Sequence, residues 1–125
     1  MKVVLVVDDS TTMRRMILTS LKELEGVRFE EVTSGMEAVE RLVLGPVDLI
    51  ILDLNMPDMH GMDVLRFLRQ HASLRCSKVL VLTTRGDESS RTEARECGAA
   101  AYMTKPFEPA ELALCARELL EQTNG

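Results

Sequence analysis

The sequence predicts an α/β domain: a doubly wound, five-stranded parallel sheet with five helices. Three observations predict it. Apolar runs alternate with helix-period patterns along the whole chain. The runs are unbroken Val/Ile/Leu, as suits parallel strands covered on both faces. Strand followed by helix, repeated five times, implies right-handed crossovers within a single sheet.

The elements follow in order. Val3 to Val7 is a continuous apolar run ending in Asp8-Asp9. After Ser10, a natural N-cap, apolar residues at Met13, Ile17, Leu21 and Leu24 predict the first helix. Phe29 to Thr33 is a weaker strand. Ser34 and Glu37 have capping-box spacing ahead of Ala38, Val39, Leu42 and Val43. Val47 to Leu52 is the second strong run and ends at Asp53. Val64, Leu65 and Leu68 mark the third helix. Val79 to Leu82 ends at Thr83-Thr84. Asp87 to Cys97 reads as a fourth helix closed by Gly98. Its only clearly apolar members are Ala94 and Cys97, so little apolar area holds it. Ala100 to Met103 is a short strand before Lys105. Pro109 suits a first helical turn, followed by Leu112, Cys115, Ala116 and Leu119.

The 125 residues read as one domain, 1–125, with no room for a second. Hydrophobic residues make up 46%, enough for a real core, and with aromatics at 3% aliphatic side chains must fill it. The formal charge of −5 and the lack of a Lys/Arg run disfavour direct nucleic-acid binding. Cys76, Cys97 and Cys115 lack metal-ligand spacing and read as free thiols in a reducing compartment. No segment has the roughly 18 apolar residues of a membrane span, and no signal peptide is evident. The expected location is cytoplasmic.

Position is the informative feature. Asp8, Asp9, Asp53, Thr83, Thr84 and Lys105 all fall at or just past the C-terminal ends of predicted strands. In open α/β sheets ligands bind along that edge. If the first and third strands are neighbours, three carboxylates converge and need cations to stay ionised together. Lys105 supplies one; hard carboxylate oxygens suit Mg²⁺ as the other. An acidic Mg²⁺ cradle beside a lysine and a hydroxyl suits phosphoryl transfer, and aspartate can accept a phosphoryl group covalently.

At these residues the chain resembles the response-regulator receiver domains, the partners of sensor histidine kinases in two-component signalling, and most of all their single-domain chemotaxis (CheY-like) branch. The carrying motifs are Val7-Asp8-Asp9-Ser10, Leu52-Asp53-Leu54-Asn55-Met56-Pro57, Gly61, Thr83-Thr84 and Lys105-Pro106-Phe107. The resemblance implies a stand-alone phosphorelay regulator that takes a phosphoryl group on Asp53 from a histidine kinase or phosphotransfer protein. It implies Mg²⁺ held by Asp8, Asp9, Asp53 and the Asn55 carbonyl. Lys105 would contact the phosphoryl oxygens, and Thr83 and Tyr102 would be switch residues. Lys105–Pro106 would be a cis peptide, and Gly61 and Pro57 would shape the loop over the site. No turnover enzyme is implied beyond self-phosphorylation and autodephosphorylation. The output would be a protein-binding surface around Arg91, Arg95, Tyr102 and the fifth helix.

Some positions depart from the family pattern. His60 stands where aspartate is common and reads as an exposed loop imidazole. Thr84 would narrow access to Asp53. Arg85 either reaches toward the phosphoryl group or is solvated. Arg91, Thr92 and Arg95 make the fourth helix less apolar than the motor-binding face of the chemotaxis proteins. Met13, Met16 and Met103 read as core fillers, and Met56, Met59 and Met62 as lining the loop after Asp53. The alternative function is a binding module that works unphosphorylated. An aspartate-nucleophile phosphatase would want an acid where Asn55 stands, and a flavin carrier would be repelled by Asp8-Asp9.

Overall fold

The computed structural model describes residues 1–122. The elements are β1 (Lys2–Val7), α1 (Thr11–Leu21), β2 (Val27–Val32), α2 (Gly35–Val43), β3 (Leu49–Leu52), α3 (Gly61–Gln70), β4 (Lys78–Thr83), α4 (Glu88–Glu96), β5 (Ala101–Thr104) and α5 (Pro109–Glu121). A 3₁₀ turn at Ala72–Leu74, absent from the sequence expectation, links α3 to β4. The five strands form one parallel sheet in the order β2-β1-β3-β4-β5.

The unbroken apolar runs are explained by the two-sided cover. Along β1, Leu5 and Val7 face one core while Val4 and Val6 face the other. The first core is closed by α2, α3 and α4, through residues such as Leu42, Val64, Leu65 and Ala94. The second is closed by α1 and α5, through Ile17, Leu21, Leu112, Ala116 and Leu119. Each fully buried Leu or Ile contributes about 1.5–3 kcal/mol by transfer from water, so the sheet centre is the rigid platform of the site.

The element ends show local chemistry at work. Ser10, Ser34 and Asp87 cap α1, α2 and α4 by accepting the N–H three residues on. Gly98, at φ +103°, ends α4 in the left-handed conformation that glycine permits.

Three expectations are corrected. The helix expected to run to Leu24 stops at Leu21; Leu24 packs against the core from the following turn. The strand expected from Val47 begins at Leu49, because the Asp48 carboxylate accepts the Val3 N–H at 2.7 Å. Met16 is 46% exposed instead of filling the core, whereas its neighbour Ile17 is the inward residue of that turn.

Candidate functional site

The site is assembled by strand pairing. Val7 lies opposite Leu52 in the β1–β3 register, so Asp8 and Asp53 leave the sheet side by side. The Asp53 N–H donates to the Val7 carbonyl at 3.0 Å, which fixes the fork. Asp9 follows on the exposed side. The carboxylate oxygens of Asp8, Asp9 and Asp53 lie within 4.8 Å of one another. Asp8 is 2% exposed and Asp53 6%, so both charges sit in poor solvent.

Lys105 answers them from the end of β5. Its N–H donates to the Thr83 carbonyl at 2.8 Å, seating the residue beside β4. Its Nζ then donates to Asp8 Oδ2 at 2.7 Å and to Asp53 Oδ2 at 3.3 Å. The Lys105–Pro106 peptide is cis. Burial pushes the Asp53 carboxyl above its ordinary value, and the charge of Asp8 adds to this. The Asn55 N–H, 3.1 Å from Oδ1, and Lys105 oppose the rise without cancelling it. One ammonium against three carboxylates leaves the cluster acidic. Oxygen donors alone, with no His or Cys among them, fit a hard divalent cation. Asn55 stands at the rim with its N–H committed to Asp53.

Glycine is required at one point of the surrounding loop. The Gly61 N–H donates to the Leu54 carbonyl at 3.0 Å. A Cβ on Gly61 would stand 2.6 Å from the Asp53 carbonyl oxygen and 2.7 Å from Leu54 Cα. Both are backbone atoms that cannot step aside, so the residue that lets the loop close on β3 has no side chain. Pro57 is exposed in that loop, while Met56 and Met62 are buried beneath it and Met59 is half-buried.

The rim carries contacts that join distant segments. Asn55 Nδ2 donates to Thr84 Oγ1 at 3.2 Å, so Thr84 bridges across the mouth. Arg85 Nη1 lies 3.0 Å from His60 Nε2 rather than at Asp53. His60 is exposed as expected, but it also caps α3, with Nδ1 accepting the Met62 N–H at 3.1 Å. Thr83 is fully buried, and its Oγ1 accepts the Arg85 N–H at 3.4 Å. The Tyr102 hydroxyl donates to the Arg85 carbonyl at 2.5 Å. Arg91 stacks over the Tyr102 ring, its guanidinium carbon 4.9 Å from the centroid.

Sequence reasoning missed two supports. Arg14 donates to the Asp8 carbonyl at 2.8 Å and pairs with Glu31 at 3.0 Å, steadying the first acidic pair from α1. Its only sequence signal is a basic residue on the first turns after the N-cap. Asp58 accepts the N–H groups of Gly35 and Met36 at 3.2 and 3.0 Å, tying the loop after Asp53 to the start of α2. No local pattern announces a contact across 22 residues.

Comparison with known proteins places this geometry. The family model described as "Response regulator receiver domain" matches residues 4–117. The transcriptional regulatory protein SrrA of Staphylococcus aureus is 37% identical over 122 residues, covering 98% of this chain and 49% of that protein. The chain thus spans about half the length of the curated relatives it matches. Among solved structures, chemotaxis response regulator CheY4 of Vibrio cholerae is 31% identical with a TM-score of 0.85, covering 95% of this chain and 98% of that one. The Mn²⁺-bound form of response regulator Rcp1 is 27% identical with a TM-score of 0.83, covering 98% and 94%.

Proposed function

This chain belongs to the response regulator receiver domain family, and we propose that it is a phosphoryl acceptor whose nucleophile is Asp53. The observation that carries the reading is the convergence of Asp8, Asp9 and Asp53 within 4.8 Å, with Lys105 bonded to two of them. In the proposed step an Asp53 carboxylate oxygen attacks phosphorus on a phosphohistidine donor. The P–O bond forms as the P–N bond breaks, and the electron pair returns to the imidazole nitrogen. Lys105 stabilises negative charge on the phosphoryl oxygens. Burial of Asp53 excludes water that would compete with the donor.

Asp8, Asp9, Asp53 and Asn55 are the residues proposed to hold Mg²⁺. When bound, the ion would neutralise the excess carboxylate charge and stabilise the phosphoryl group in transit. The oxygen-only donor set and the Mn²⁺-bound relative support a divalent cation here. The likeness to CheY4, almost the whole of which is matched, supports a single receiver unit that signals by protein contact. A sensor histidine kinase or phosphotransfer protein is the proposed donor, in the cytoplasm, and chemotaxis one candidate pathway. Such a chain is a substrate with slow self-hydrolysis rather than a turnover enzyme.

Intact mass after incubation with acetyl phosphate tests the reading. Wild type with Mg²⁺ should gain one phosphoryl group. Asp53→Asn, or wild type in EDTA, should gain none. Equal labelling of Asp53→Asn would refute the assignment.

A further inference from the structure

A second charged site lies at the opposite edge of the sheet. Arg69 at the end of α3, Arg75 after the 3₁₀ turn, and Arg95 on α4 line one cavity of about 630 Å³. Its floor includes Leu68, Leu74 and Val79. Val79 and Thr83 lie four residues apart on β4, so the cavity is on the order of 13 Å from the acidic site by strand rise.

The charge at this cavity runs against the rest of the molecule. The chain carries an excess of acids, 20 against 15 bases. Among the described residues Arg14, Arg28, Arg41 and Arg66 each pair with a carboxylate, while Arg15, Arg85, Arg91 and Arg117 do not. The three cavity arginines pair with none among the described residues, and the only acid in the lining is Glu96. The Arg95 side chain has no hydrogen-bond partner among the described residues, although its carbonyl accepts the Gly98 N–H at 3.0 Å. Arg69 donates to the Glu96 carbonyl, and Arg75 Nε donates to the Arg69 carbonyl at 2.9 Å. Those contacts quiet the carbonyl ends of α4 and α3, which would otherwise repel an anion. They use one donor from each guanidinium and hold the side chains in place, leaving the other N–H groups uncommitted.

We propose that this cavity binds a phosphate-bearing small molecule, a diphosphate of nucleotide size. Three exposed arginines from three separate segments line one concavity. That arrangement fits a compact polyanion, and the planar forks match phosphate oxygens two at a time. The volume lies within the range of small-molecule sites. This site is independent of the phosphoryl-acceptor reading.

Calorimetric titration of the full chain in EDTA tests the proposal, with ADP, inorganic pyrophosphate, adenosine and hexaglutamate as probes. ADP and pyrophosphate should bind, adenosine should not, and binding should weaken with added salt. Arg95→Gln loses no internal partner, so it should fold normally and weaken ADP binding at least about tenfold. Amide shifts on ADP addition should centre on Arg69, Arg75, Cys97 and Gly98. Failure of both phosphate probes at millimolar concentration would overturn the proposal, as would undiminished binding to Arg95→Gln. Binding of hexaglutamate alone would overturn it in favour of contact with an acidic protein segment.

Discussion

Helices α4 and α5 lie on opposite faces of the sheet and are held there by different physics. α5 buries Leu112, Ala116, Leu119 and Leu120. α4 buries only Ser90 and Ala94. What α4 lacks in apolar contact it replaces with polar ties. Asp87 accepts from the Ser90 N–H and hydroxyl, Arg66 pairs with Glu93 at 2.7 Å, and Arg91 covers Tyr102. Apolar burial is large and insensitive to charge; exposed ion pairs are small and screened. A helix held the second way can respond to a new charge nearby. α4 follows directly on the segment 84–87 that leaves Thr83, and Tyr102 grips the Arg85 carbonyl of that segment.

The contrast can be broken or sharpened by substitution. Leu112→Ala on α5 should have the largest effect, about 2–5 kcal/mol in denaturant unfolding, because the side chain is fully buried. A cost below about 1 kcal/mol would mean that α5 is not the anchored partner in the comparison. Gly61→Ala touches neither helix. It should cost about 1–3 kcal/mol, since its methyl meets fixed backbone. It should also slow acetyl phosphate labelling by displacing Asp53. Labelling at the wild-type rate would show that the loop yields.

A smaller, local effect is expected from Asp87→Ala, which removes the α4 cap. Amide exchange should rise in Glu88–Glu96 while α5 stays protected. The same tie predicts a pH dependence. The N–H and hydroxyl of Ser90 hold the Asp87 carboxyl below its ordinary value of 3.8. Its stabilisation is therefore complete above that value and lost as pH falls through the lowered folded one. Carbon chemical shifts of α4 should lose helical character in that acid window in wild type and show no such titration in Asp87→Ala. The least effect belongs to Arg66→Ala. Arg66 pairs with both Glu93 and Asp63, and all three side chains are about half exposed, so the loss should be about 0.2–1 kcal/mol and vanish in high salt.

Much of this was legible in the sequence because it is written locally. Val3 to Val7 and Val79 to Leu82 are apolar without a break, and only a strand covered on both faces needs that. Asp8, Asp53 and Lys105 announce a site because they end strands that must be neighbours. β2 was harder: no residue of Val27–Val32 is fully buried, and Arg28, Glu30 and Glu31 dilute its apolar signal. His60 as a cap for α3 was hidden because histidine accepts there through Nδ1, outside the usual Ser/Thr/Asp/Asn set. The Asn55–Thr84 and Arg85–His60 contacts join loops 29 and 25 residues apart, and no short-range pattern encodes them. The three-arginine cavity was invisible for the same reason, since its members come from three segments.

The most direct test is hydrogen exchange read by mass spectrometry on wild type and Asp53→Asn, each with Mg²⁺, before and after acetyl phosphate. The account predicts that exchange changes in wild type across Glu88–Glu96 and Ala101–Thr104, stays constant in α5, and changes nowhere in Asp53→Asn. Equal changes in both proteins, or changes in α5 with none in α4, would contradict it.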